Sequence, residues 1–270
     1  VAGVRMRAPM MHIHTVAAGG GSILHFDGAR FTVGPDSAGA NPGPACYRRG
    51  GPLTVTDCNL MLNKLNPDFF PKVFGSKGDE PLNHAVVVEK FKNLADKITA
   101  AGGDPMAPEA IAEGYLTIAV ENMANAIKKI SIQRGYDVSE YVLSSFGGAG
   151  GQHACLVADA LGMKQVFLHP LAGVLSAYGM GLADVRAMRE QAVESILDDK
   201  LIVELEVSLK ILAAKGLAEL KSQDIADDRI SVLRKVHIRY QGTDTALMVD
   251  FGNKDGIVQA FEEKHQQQFG

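Results

Sequence analysis

Tryptophan is absent and cysteine is scarce in this 270-residue chain. The lack of tryptophan excludes nothing. The three cysteines, Cys46, Cys58 and Cys155, form no C-x-x-C pair and are an odd number. That argues against a disulfide framework and for a reducing, cytoplasmic setting. Their sequence neighbours include no activating partner, so all three read as small buried residues. No apolar run approaches the roughly 18 residues of a membrane span. The start of the chain lacks the charged, apolar and small-residue order of a secretory leader. A net charge of −4 supplies no basic field for nucleic acid. Apolar residues make up 46% of the chain, enough for one large domain or two modest ones.

Glycine, by contrast, is concentrated. One cluster is Gly19-Gly20-Gly21-Ser22, after the extended stretch Met11–Ala18. The other is Gly147-Gly148-Ala149-Gly150-Gly151, between a strand-like run and a helical one. Bare backbone lets amide groups turn inward and lets polyanions approach closely. Two such turns, each at a strand end, suit a nucleotide faced from two sides. The alternatives are a tight β-turn for the first and close strand–helix packing for the second.

The pattern along the chain is mixed α/β. Asp27-Gly28 between Ile23–Phe26 and Arg30–Val33 predicts a hairpin. Residues 34–52 hold nine Gly and Pro among nineteen, a stiff loop of the kind that covers a site. A helix is predicted over Asn59–Leu65, with Thr56 or Asp57 as its cap. Another is predicted over 85–100. The clearest is Glu109–Arg134, where Leu116, Val120, Met123, Ile127 and Ile130 make one apolar stripe. Tyr141–Phe146 and Gln165–Leu168 read as strands around a helix at His153–Leu161, capped by Gly162. Leu171–Val185 reads as a buried helix. After residue 190 the composition shifts. A leucine stripe from Leu197 to Leu212, strands at Val232–Tyr240 and Thr245–Phe251, and a helix at Ile257–Gln268 predict a second, smaller α/β unit. The expected division is residues 1–190 and 191–270.

Other residues invite chemistry. Asp57 can hold Mg²⁺ or position water or substrate, or serve as a helix cap. Asp36, in the Gly/Pro loop, is a second catalytic candidate, or an Asx-turn. His12 and His14 share a predicted strand face but lack a third ligand for zinc. His153 follows the second glycine cluster and either touches nucleotide or only opens its helix. Arg48 and Arg49 can pair with phosphate or a carboxylate, or be solvated.

The stretches His12–Cys58 (HIHTVAAGGGSIL…VGPDSAGANPGPACYRRGGPLTVTDC) and Phe146–Val185 (FGGAGGQHACLVADALGMKQVFLHPLAGVLSAYGMGLADV) resemble the 5-oxoprolinase and hydantoinase A family. Arg239–Met248 (RYQGTDTALM) is similar to the module that follows in 5-oxoprolinases. The wording looks most like the ATP-dependent 5-oxoprolinase branch; hydantoinases and acetone carboxylase subunits are the alternatives, and a kinase on the same fold is another.

The resemblance implies the fold of actin, sugar kinases and heat-shock chaperones, with two α/β halves closing over ATP and Mg²⁺. It places Gly19, Gly20, Gly21 and Ser22 on phosphate, and Gly147, Gly148, Gly150, Gly151 and His153 on the adenosine side. The family's Asp-x-Gly-Gly-Thr phosphate loop does not occur in this chain. The expectation is therefore a fragment: the second lobe, residues 1–190, and the start of a C-terminal module, residues 191–270. Its partners would be a cyclic amide, the N-terminal lobe and a hydantoinase B-like region or subunit, within an oligomeric parent. Neither nucleic acid nor membrane is expected as a partner. The isolated chain is expected to show negligible turnover.

Overall fold

The computed structural model describes residues 13–270. Contacts divide them into two units. One comprises Ile13–Ile132 with Asp137–Tyr178; the other comprises Gln133–Tyr136 with Gly179–Gly270.

The first unit begins with a hairpin, β1 (Ser22–Phe26) and β2 (Phe31–Ser37), paired antiparallel with Phe26 opposite Phe31. Asp27 shapes its turn by accepting at Oδ1 from the amides of Ala29 (2.9 Å) and Arg30 (2.8 Å), the local bonding that suits Asp to turns. The expected hairpin is thus present, and β2 runs on to include Asp36. Residues 13–18 are not a strand, whereas one was expected over Met11–Ala18; Met11 and His12 lie outside the described residues.

Helices α1 (Val55–Met61), α2 (His84–Ala100), α3 (Pro108–Ile132) and α4 (Ala154–Leu161) follow. α1 starts four residues before the predicted position, because Thr54-x-x-Asp57 forms a capping box there. The core gathers Val55, Cys58 and Leu60 of α1, Val87, Phe91 and Ile98 of α2, and Ile111, Tyr115 and Leu116 of α3. Each such side chain contributes about 1.5–3 kcal/mol of burial free energy. Tyr115 also donates to the carbonyl of His25 at 2.9 Å and meets Phe31 edge-on, tying α3 to the hairpin. A smaller cluster packs Val120 and Ala124 of α3 against Val157, Ala158 and Leu161 of α4. β3 (Leu143–Ser145) and β4 (Val166–Leu168) pair in parallel across α4. Gly162 caps α4 in a left-handed conformation, as the sequence predicted.

α5 (Leu175–Leu182) contains no buried residue, so the buried helix expected from its composition is not observed. Apolar composition marks what a segment can bury; the neighbours decide whether it does.

In the second unit, α6 (Asp199–Lys221), the antiparallel pair β5 (Lys235–Ile238) and β6 (Leu247–Asp250), and α7 (Lys254–Phe269) follow the predicted order. Its core is small: Val249, Ile257 and Phe261, with Leu197, Ile202 and Val236 beside them. No helix among the described residues is long and apolar enough to cross a membrane.

Candidate functional site

In the first unit, Gly20 of the first glycine cluster and Gln152 and His153, just after the second, all meet α1. Gly19–Ser22 forms a turn closed by the Ser22 amide on the Gly19 carbonyl at 2.9 Å. The Gly20 carbonyl accepts from both the amide and the hydroxyl of Thr56, each at 2.9 Å. A Cβ on Gly20 would lie 2.7 Å from Thr56 Oγ1, and one on Gly21 would lie 3.0 Å from Ser37 Oγ. Glycine is required here for packing. The amides of Gly19, Gly20 and Gly21 donate to nothing among the described residues, so the turn retains three donors for an anion. Ser22 is largely buried at the start of β1.

Gly147–Gly151 lies between β3 and α4. Gly147 has φ +90°, a conformation that favours glycine, and its amide donates to the carbonyl of Ala172 at 2.8 Å. A Cβ on Gly147, Gly148 or Gly151 would meet nothing within 4 Å; only Gly150 is crowded, by Ser145 Oγ at 2.9 Å. Packing therefore accounts for Gly150 and leaves the space beside the other three open.

The loop is anchored at its end. Asn59 Nδ2, from the middle of α1, donates to Gln152 Oε1 at 2.8 Å and faces His153 Nε2 at 3.3 Å. His153 is buried, and that burial, with Lys64 nearby, lowers its imidazole pKa and favours the neutral form. His153 sits at the N-cap of α4, the structural alternative to a nucleotide contact.

Asp57 is fully buried. Its Oδ2 accepts from the amides of Ala45 (3.0 Å) and Thr54 (2.8 Å) and from the Thr54 hydroxyl (3.0 Å). Its Oδ1 accepts from the Cys46 amide at 2.9 Å. Burial pushes this carboxyl up from the usual carboxylate range, and the four donors oppose that push. With donors on both oxygens, Asp57 pins the Gly/Pro loop to α1. Of the roles expected for Asp57, this arrangement matches the structural one at the helix start. Sequence alone pointed to the cap but could not name Ala45 and Cys46.

Asp36 stands exposed on β2, 3.5 Å from His25 Nε2, not in the loop where it was expected. Arg48 donates to the Pro81 carbonyl (2.7 Å) and pairs with Glu80 at 3.2 Å. Arg49 donates to the carbonyls of Gly75 (3.2 Å) and Ala40 (3.3 Å). The two arginines therefore tie the Gly/Pro loop to the segment from Gly75 to Pro81. Cys46 and Cys58 are buried as expected, but Cys155 is exposed on α4. His14 is exposed, and no group of three or more His, Cys, Asp or Glu among the described residues is placed to hold a metal.

The model of the hydantoinase/oxoprolinase family matches residues 1–189. The chain belongs to that family. Its matching span contains both glycine turns and α1. 5-Oxoprolinase 1 of Arabidopsis thaliana is 43% identical over 268 residues, 97% of this chain and 21% of the relative. The crystal structure of ATP-dependent caprolactamase from Pseudomonas jessenii superposes with a TM-score of 0.77 at 30% identity, covering 97% of this chain and 38% of that one. A nucleotide-free acetone carboxylase shares the fold at a TM-score of 0.64 and 23% identity, over 93% of this chain and 37% of that one. The chain spans 21% of the length of the first curated relatives it matches.

Proposed function

We propose that this chain supplies one half of the nucleotide site of an ATP-dependent cyclic-amide hydrolase of the 5-oxoprolinase type. The observation that carries the reading is that one helix is bonded both to the first glycine turn and to the residues that end the second. The first presents three amides with no partner among the described residues, and the second leaves open space beside Gly147, Gly148 and Gly151. Family membership supports the same assignment, and so do a 5-oxoprolinase and an ATP-dependent caprolactamase among the similar proteins. Both of those names denote action on a ring amide.

The proposed lobe is the second half of an actin-like nucleotide fold, with the chain after about residue 190 opening a further α/β module. The rest of the fold, including the Asp-x-Gly-Gly-Thr loop, would come from elsewhere in a longer, oligomeric parent. In this reading the amides of Gly19–Gly21 hold phosphate oxygens, and the bare backbone of Gly147–Gly151 lets the nucleoside lie close. Preorganised amides of this kind stabilise charge that develops during phosphoryl transfer without reorganising. ATP would phosphorylate the lactam oxygen and leave as ADP. Water would then add to the activated ring carbon, and the C–N bond would break with the amine nitrogen taking up a proton as it leaves. A second water would hydrolyse the resulting acyl phosphate to carboxylate and free phosphate. The described residues present no carboxylate free and clustered for Mg²⁺, so no step is assigned to a protein-held cation.

The test is calorimetric titration with Mg-ADP and a non-hydrolysable ATP analogue, on this chain and on the full-length parent, each with a Gly148→Val variant. Half of a two-sided site predicts weak binding by the chain, stronger binding by the parent, and loss of both in the variant. No saturable binding by the parent would sink the nucleotide reading. Binding untouched by Gly148→Val would move the site away from the second turn. Assays of the parent with 5-oxoproline, a hydantoin and a ketone then separate the branches of the family.

A further inference from the structure

Helix α1 is only seven residues long, yet three of its polar side chains reach three different loops. Thr56 holds Gly20 of the first glycine turn. Asp57 holds Ala45 and Cys46 of the Gly/Pro loop. Asn59 holds Gln152 and faces His153 at the end of the second glycine loop. Thr56 and Asn59 are three residues apart and lie on one side of the helix, about 4.5 Å along its axis. One rigid turn of helix therefore spans the attachment points of both glycine turns.

The joint at Asn59 has the character of a register device. Asn59 is fully buried and His153 is 5% exposed. Asn59 Nδ2 lies 3.3 Å from His153 Nε2, within hydrogen-bond reach. Asn59 Oδ1 and His153 Nδ1 are the buried side-chain polar atoms without a partner among the described residues. Unmet buried groups of this kind are uncommon and costly. An apolar contact would join helix to loop at lower cost, but it would not fix the loop's position along the helix, because apolar contacts are non-directional.

We propose that Asn59 is a positioning residue for the nucleotide, holding Gly147–Gly151, through Gln152 and His153, at a fixed offset from Gly19–Ser22. The proposal rests on the nucleotide reading above. A ligand gripped by two turns binds best when their separation is set beforehand; a loop that must be ordered during binding costs affinity.

The experiment measures the Kd of Mg-ADP by calorimetry and the nucleotide-free melting temperature for the full-length parent, Asn59→Ala, Gln152→Ala and the double variant. Gln152 is only partly buried, so its truncation leaves the fold intact and decides the matter if Asn59→Ala does not fold. Each single variant is expected to raise Kd about tenfold. The double variant is expected to be no worse than Asn59→Ala, because both changes break the same tether. Gln152→Ala is expected to lower the melting temperature less than Asn59→Ala does, because one partner of Asn59 rather than its whole amide is lost. Unchanged Kd in the single variants, with or without a lower melting temperature, would overturn the proposal and leave Asn59 a structural group. Effects that multiply in the double variant would also overturn it. Binding by the parent together with unaffected variants sinks this inference alone; no binding by the parent sinks the nucleotide reading beneath it.

Discussion

The two glycine clusters look alike in sequence and differ in surroundings. At Gly20 and Gly21 the missing side chains make room for Thr56 and Ser37. At Gly147, Gly148 and Gly151 they make room for nothing within 4 Å. The first turn therefore needs glycine at positions 20 and 21 for its own packing, while Gly19 is as open as Gly148 and Gly151. In the second, Gly147 is explained by its φ of +90° and Gly150 by Ser145, which leaves Gly148 and Gly151 as glycines that neither packing nor backbone conformation demands. A run of glycines is thus two kinds of statement, and only the neighbours tell them apart.

Variants can break or sharpen that contrast. The largest effect is expected from Asp57→Ala, which strands four donors and releases the Gly/Pro loop. It should cost at least about 3 kcal/mol, read as a lower urea midpoint. A smaller loss would mean that the carboxylate is less committed than its four bonds suggest. Next comes Gly20→Ala, whose Cβ would press on Thr56 Oγ1 at 2.7 Å. A loss of about 2 kcal/mol is expected in the same assay, in line with overpacking elsewhere. Gly148→Val tests the opposite prediction: stability within about 0.5 kcal/mol of the parent, as for an open surface site, but Mg-ADP affinity reduced at least about tenfold. A Gly148→Val protein that melts early would erase the difference between the two turns.

The smallest effect concerns pH. His153 has its pKa lowered in the folded state by burial and by Lys64. An unfolded chain takes up this proton near pH 6.5, before the folded protein does. The folded state is therefore undiminished above that pH and loses stability as pH falls toward the lower, folded value. Melting temperatures measured across that window should fall for the parent and fall less steeply for His153→Leu. Equal slopes would show that the imidazole is not held neutral by its surroundings.

Much of the scaffold was legible residue by residue. Asp27-Gly28 marked the hairpin, the stripe from Leu116 to Ile130 marked α3, and Gly162 marked the end of α4. These signals work because turn chemistry and amphipathic period act over a few neighbouring residues. The start of α1 was misplaced because the sequence pointed to Thr56 or Asp57 as the cap. Thr54 holds that position, and Asp57 answers it from three residues inside the helix. α5 was misread because its small apolar residues suited a buried helix, and nothing local shows whether another element covers it.

The amino-acid order by itself determined the family, the sequence of elements and the two places where backbone is left bare. Tertiary structure decided what each polar residue does with its bonds. Asp57 finds its partners 11 and 12 residues away, and Asn59 finds Gln152 at a separation of 93. Partners so distant meet only when the hydrophobic core closes around them, and burial then makes each pairing costly to leave unmade.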